Sequence, residues 1–313
     1  MEVFRVIEEA MTHSRPNIGI VRGRSYYPSA AMSVDLLNPS KRIGACVRAE
    51  YYRVKRYPET NPTGDYSNYI LSYGKVLEQW MIEQLKIAGV YASSNDKFVF
   101  PNHPLISGEI DIIVKEPDGT YAVIENKTFS AGNYQALKSL AGAAGRGTKF
   151  PYIRPEPKIS NLMQSHIYLH AISGISKVYL TYLDRSAGGP QNNIQFDITN
   201  HQTDEGNFAR VTVKRPWRDE PITYVNEHFT IESIISGYEH LHEHVVASQL
   251  PDPTYRISMP DEDIQAGFES GEIAKTKYEA YTRNNEKYPI SDWQCNWCRY
   301  LNQCKVDQGI EIV

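Results

Sequence analysis

Residues 106–129, "ISGEIDIIVKEPDGTYAVIENKTF", constrain the fold more than any other stretch. "EPDGT" is a turn, because proline fixes one backbone angle and glycine supplies a positive one. The flanking runs of isoleucine and valine then form the arms of an antiparallel hairpin. With the turn at 116–120, Lys115 faces Tyr121 and Asp111 faces Glu125. Lys127 lies two residues past Glu125 and shares its face. A slip of one residue would send the two carboxylates to opposite faces. Apolar residues occupy both faces of each arm, with Ile110, Ile112 and Val114 against Ile113, and Ile124 against Val123. The hairpin is therefore predicted to be covered on both sides.

Carboxylates facing each other in such a place repel, and burying one unpaired is costly. A divalent cation between them removes both costs, and hard oxygen ligands suit Mg²⁺ or Mn²⁺. The competing reading is a Glu–Lys pair facing water. E-x-K has little specificity by itself; an aspartate at hairpin spacing from it gives the pattern its weight.

Two helices add to the pattern. "NYILSYGKVLEQWMIEQLKIAG" (68–89) has helical periodicity and a glycine stop. On it Glu78 shares a face with Leu71, Gly74, Met81, Ile82 and Leu85. An acid on a core face needs a partner, either a basic side chain or a metal shared with Asp111 and Glu125. "ISNLMQSHIYLHAISG" (159–174) is the second helix, and Gln164 and Tyr168 share one of its faces. Both form hydrogen bonds and suit the edge of a phosphate or base site. The remaining order is a strand at 177–186, a β extension over 187–225, a helix at 229–250 and a proline- and tyrosine-rich tail. Helix, strands, helix, strand is the order of a mixed α/β core.

The chain of 313 residues has room for one large domain or two small ones. Its net charge of −4 means that a polyanion must be met by local basic patches. Two such groups stand out. The first is Lys41, Arg42, Arg48, Arg53, Lys55 and Arg56, and the second is Arg146, Lys149, Arg154 and Lys158. The tyrosines and tryptophans offer stacking surfaces for single strands. His242 and His244 read as surface residues. No apolar run is long enough to span a membrane, and the N-terminus lacks the layout of a signal peptide. The expected compartment is the cytoplasm, including that of a phage-infected host.

In a reducing compartment four cysteines are metal ligands or free thiols rather than disulfides. Cys295, Cys298 and Cys304 form C-x2-C-x5-C, and Cys46 lies far upstream in "SKRIGACVRAEYYR". Four thiolates can hold Zn²⁺ or a [4Fe–4S] cluster, and spacing alone does not choose.

In order, Gly74-x-x-x-Glu78, Gly108-Glu-Ile-Asp111, Glu125-Asn-Lys127 and Gln164-x-x-x-Tyr168 resemble the RecB-like branch of the PD-(D/E)XK nucleases, over roughly residues 70–185. Many members carry histidine where this chain has Glu78. One cysteine before this core and three after it resemble the iron–sulfur subset, which includes the AddB nuclease domain and the CRISPR-associated adaptation exonucleases. The resemblance implies a restriction-endonuclease-like α/β core: a central mixed sheet flanked by helices, with a helical iron–sulfur subdomain formed by both chain ends. Its segments would be 1–66 with the first cysteine, 67–186 as nuclease core, 187–228 as β extension and 229–313 with the other cysteines, all in one integrated domain. It further implies that Asp111 and Glu125 bind Mg²⁺ or Mn²⁺ and that the Asn126 carbonyl adds a ligand. Lys127 would assist the attacking water, and Cys46, Cys295, Cys298 and Cys304 would hold [4Fe–4S], with zinc as the lesser candidate.

The implied activity is a metal-dependent DNA exonuclease acting on single-stranded or end-bearing DNA. It would serve recombination, repair or phage DNA metabolism beside recombination or replication proteins. A structure-selective endonuclease or a processor of DNA for CRISPR adaptation is the nearer alternative. A DNA-binding scaffold without catalysis is the more distant one.

Overall fold

The computed structural model describes residues 25–62, 64–129, 156–184, 193–215, 218–271, 273–284 and 290–310. By contacts the chain divides into two units, Met1–Ala45 with Gly64–His240, and Cys46–Thr63 with Leu241–Val313.

The first unit opens with a two-stranded hairpin, β1 (Met32–Asp35) and β2 (Asn38–Gly44). The second unit contributes the next helix, α1 (Val47–Val54). The first unit resumes with α2 (Asp65–Ile87), then β3 (Tyr91–Phe100), β4 (His103–Lys115) and β5 (Tyr121–Phe129). After α3 (Ile159–Ala171) come β6 (Ile175–Asp184), β7 (Ile194–Thr203), β8 (Gly206–Arg215), β9 (Arg218–Thr230) and α4 (Ile231–Ala247).

Strands β3 to β9 form one seven-stranded sheet in chain order. All neighbours are antiparallel except β5 and β6. A parallel pair needs a crossover, and α3 lies in it. The result is a mixed α/β fold, its sheet flanked by helices, consistent with a restriction-endonuclease-like core. The stretch read as a β extension is continuous with the central sheet, because β7 pairs directly with β6.

The hairpin register runs from Lys115↔Tyr121 to Ile112↔Ile124. The turn is tied by Asp118, whose Oδ1 accepts from the Thr120 amide at 2.9 Å and hydroxyl at 2.7 Å. Gly119 adopts φ 88°, a conformation that side chains disfavour. Ile112, Val114, Ala122 and Ile124 pack with Ile82 of α2, and Met81 and Leu85 close the cluster. By alternation, Asp111, Glu125 and Lys127 belong to the other face. That face is met by α3, through Gln164.

In the second unit, Tyr52 is fully buried, donates to Asp307 Oδ2 at 2.6 Å and packs against Tyr57 and Tyr300. The helices after α4 are α5 (Asp261–Glu269), α6 (Lys275–Arg283), α7 (Trp293–Asn296) and α8 (Leu301–Asp307).

Candidate active site

The hairpin ladder stops one pair short of the expected Asp111–Glu125 pairing. Beyond Ile112↔Ile124, β5 keeps its other partner β6 through Phe129↔Asp184, while β4 continues against β3. Between the parting arms, Asp111 Oδ2 accepts from the Asn126 amide at 3.3 Å. The two carboxylates therefore line the mouth where two strands separate, and they do not abut as a strict cross-strand pair.

Glu125 is 1% exposed. Its Oε1 forms an ion pair with Lys127 Nζ. Its Oε2 is buried and makes no hydrogen bond among the described residues, although the Tyr168 hydroxyl is close enough for Glu125 to raise it. Burial first, and the neighbouring Glu125 charge second, hold the Asp111 carboxyl well above the usual carboxylate range. Burial presses the Lys127 ammonium down, but the Glu125 and Asp111 charges reverse this and leave it raised. The neighbouring carboxyls thus favour the charged form of Lys127.

Glu78 belongs to α2, which covers the opposite face of the sheet. Burial raises its carboxyl, and the Glu125 charge raises it further. Its link to the site is electrostatic. The expected convergence of three acids is not formed: among the described residues, no group of three or more His, Cys, Asp or Glu stands where it could hold a metal ion. The helix face that points to the sheet was legible, but which face of the sheet it covers was not.

Gln164 and Tyr168 also differ from expectation. They are buried, at 7% and 1% exposure, and they do not rim an open site. Gln164 Oε1 accepts from Lys127 Nζ at 3.2 Å, and its Nε2 donates to the Tyr168 hydroxyl at 2.7 Å. They hold the lysine in place. Two participants escaped the sequence reading. Glu109 lies two residues before Asp111, and its charge raises Glu78. Thr181 of β6 donates to Asn126 Oδ1 at 3.1 Å. Period-two spacing from Asp111 could have flagged the first, but only strand pairing reveals the second.

The four cysteines all lie in the second unit and are free thiols. Cys46 immediately precedes α1, Cys295 and Cys304 lie on α7 and α8, and Cys298 sits between them. Burial pushes the Cys295 thiol up to about 12, and the charges of Cys46, Cys298 and Cys304 contribute. Burial likewise raises Cys298 and Cys304. Each thiol is close enough for its charge to act on the others. Thiols of this kind suit zinc or an iron–sulfur cluster, but as they stand no three of them are placed to hold a metal ion.

Of the expected DNA contacts, Arg48 is 6% exposed, and its Nε donates to the Pro251 carbonyl at 2.7 Å. Its charge acts to lower Cys304. It faces the thiols rather than a nucleic-acid surface, because α1 buries that side. Arg53 pairs with Glu50 at 2.6 Å, and Lys55 binds Ser248 Oγ at 2.8 Å. Arg42 meets His240 at 3.1 Å. Arg146, Lys149 and Arg154 lie outside the described residues. No helix among the described residues is long and apolar enough to cross a membrane.

No family model matches the sequence, and no curated protein matches it. Among solved structures, the crystal structure of SSO0001 aligns at 16% identity with a TM-score of 0.40, covering 80% of this chain and 88% of that one. An alkaline exonuclease (LHK-Exo) from Laribacter hongkongensis aligns at 10% identity with a TM-score of 0.36, covering 72% and 90%. Neither likeness is close enough to bear on what this chain does.

Proposed function

We propose that the chain is a metal-dependent nuclease that hydrolyses phosphodiester bonds of DNA, acting from ends or on single strands. One observation carries the reading: Glu125 Oε2 is buried and makes no hydrogen bond beside Asp111, with Lys127 fixed next to both. The Asp111 and Glu125 carboxyls face one ammonium, and a divalent cation offsets the negative charge that remains when both are ionised.

Asp111 and Glu125 would hold Mg²⁺ or Mn²⁺ together with the Asn126 carbonyl. Two carboxylates suffice for such an ion, which keeps several waters and takes substrate phosphate oxygens. When bound, it supplies an acidified water and neutralises phosphate charge. Asp111 and Glu125 give it an orientation set by strands, not by a loop. The Lys127 ammonium, tethered by Gln164 and Glu125, is positioned to stabilise charge that develops on the phosphorane oxygens. Tyr168 fixes Gln164, which fixes Lys127.

For the second unit we propose that Cys46, Cys295, Cys298 and Cys304 would hold a [4Fe–4S] cluster, with zinc as the alternative occupant; the thiols would have to close on it, since they do not stand in ligating positions without it. Cysteine ligation delivers four negative charges, so a buried cation nearby is favourable. Arg48 meets that need, and its Nη1 has no other hydrogen-bond partner. The role is structural, since four thiolates leave no open position.

The test is degradation of end-labelled single- and double-stranded DNA and of a closed circle, with Mg²⁺, Mn²⁺ or chelator. Metal-dependent release of nucleotides is expected from chains with ends. Cleavage of the closed circle would reassign the enzyme as an endonuclease. No hydrolysis of any form with either metal would leave a DNA-binding scaffold.

A further inference from the structure

Helix α3 carries two sets of side chains. Gln164 and Tyr168 serve the carboxylate site, whereas His166 and His170 face β7. Four residues apart, the histidines share a helix face. Their Nε2 atoms are 3.2 Å apart. Asn200 Oδ1 lies 3.5 Å from the His166 nitrogen and 3.3 Å from that of His170.

The Asn200 amide is held in this orientation. Its Nδ2 donates to Asn207 Oδ1 at 3.0 Å. Asn207 is held in turn by Glu232, whose Oε1 accepts from Nδ2 at 2.7 Å and whose Oε2 accepts from the backbone amide at 3.2 Å. Flipping Asn200 would set two carbonyl oxygens against each other. The chain Glu232–Asn207–Asn200 therefore delivers an oxygen lone pair to two imidazole nitrogens.

Hydrogen bonds satisfy this triangle poorly. A neutral imidazole has one N–H. If one Nε2 is protonated, the other turns a lone pair toward the amide oxygen; if both are, the oxygen can accept from both, but over 3.3 and 3.5 Å and with the two N–H groups set against each other at 3.2 Å. The edge lengths match a different arrangement. Ligands about 2.0–2.1 Å from Zn²⁺ at tetrahedral angles stand about 3.3–3.4 Å apart. We infer that His166 Nε2, His170 Nε2 and Asn200 Oδ1 form one face of a tetrahedral zinc site, with water as the fourth ligand on the solvent side.

Asn200 is exposed and His170 only partly covered, so an ion has a route in. Ligation through Nε2 moves the proton to Nδ1, which in His166 is buried without a partner. The site is therefore expected to bind more weakly than four thiolates. A bound ion would pin α3 to β7. The inference does not depend on the nuclease reading.

The experiment is calorimetric titration of the full chain with Zn²⁺, paired with thermal melting. The arms are wild type, Cys46→Ser, His170→Gln and Asn207→Ala, each checked by circular dichroism. Wild type and Cys46→Ser should both bind one zinc ion that His170→Gln lacks. That ion should raise the wild-type Tm by about 5 °C at saturating zinc. Asn207→Ala, which touches no ligand nitrogen, should weaken the same ion by about 10–100-fold by releasing Asn200. Equal zinc stoichiometry and equal melting response in wild type and His170→Gln would overturn the inference. So would an Asn207→Ala affinity equal to wild type.

Discussion

The carboxylate centre and the thiol centre each gather acidic groups of one kind, but on different scaffolds. Asp111, Glu125 and Lys127 come from one hairpin, and strand pairing sets their places. Lys127 supplies a counter-charge in advance, so the geometry exists without metal. Three of the four cysteines come from turns and short helices, one of only four residues, and such helices are not stable alone. Burial raises these thiols, and a metal bound there would have to displace their protons. On the proposed reading an ion would complete the first centre, whereas an occupant would have to assemble the second.

The largest expected effect breaks the first centre while leaving its fold. Lys127→Ala should lower metal-dependent DNA hydrolysis by about 10²–10³-fold, the range for losing one group that stabilises transition-state charge. Its melting temperature should fall, because buried Glu125 loses its counter-charge, so hydrolysis is compared at a temperature where circular dichroism shows the fold intact. Release of labelled nucleotides and a thermal melt check both, and substantial residual activity would remove Lys127 from the mechanism.

Breaking the second centre should show in absorbance and in melting. Cys46→Ser should abolish the broad absorbance near ~400 nm of anaerobically purified protein and let the second unit melt ahead of the first. A colourless wild-type protein with zinc on the thiols would replace the cluster with zinc. A Cys46→Ser protein with unchanged metal content would discard the four-cysteine site altogether.

Gln164→Leu sharpens the claim that the first centre is set in advance. It removes the 3.2 Å tether on Lys127. A lost hydrogen bond to a charged group of this kind should cost about tenfold in turnover. Unchanged kinetics would show that Glu125 alone positions the lysine.

The smallest effect concerns stability and pH. The Asp111 carboxyl is raised in the folded state, by burial and by Glu125. Between the unfolded carboxylate pKa of about 3.9 and that raised value, the folded chain binds the extra proton. Metal-free stability therefore falls as pH rises through this window, and the penalty is complete above it. At neutral pH in chelator, Asp111→Asn should stabilise the protein by about 1–2 kcal/mol. Excess Mg²⁺, which lifts the same penalty in the wild type, should erase the difference. Equal melting of both proteins in chelator would mean that the carboxylate is already neutralised.

The hairpin was legible because it is local. A turn signal, period-two alternation and residue types within 106–129 led to the register from Lys115↔Tyr121 to Ile112↔Ile124. The point where the arms part was not legible, since β6, which stays with β5, is brought there by a crossover. Glu78 shows the same limit. Its place on the apolar face of α2 follows from helical spacing, but the sheet face that α2 covers is a choice of packing. Arg48 reads as one of several surface cations, and only the burial of α1 turns it toward Cys304.

By itself the sequence determined what is set by near neighbours along the chain: the paired strands, the helix faces, and the types of ligand at each centre. Tertiary structure alone decided which lone pairs are left without hydrogen bonds, Glu125 Oε2 above all, and which side chains on α3 meet Lys127 and which meet Asn200. The reason is physical. Periodicity fixes the direction of a side chain relative to its own backbone, whereas burial and charge depend on what other segments bring to the same place.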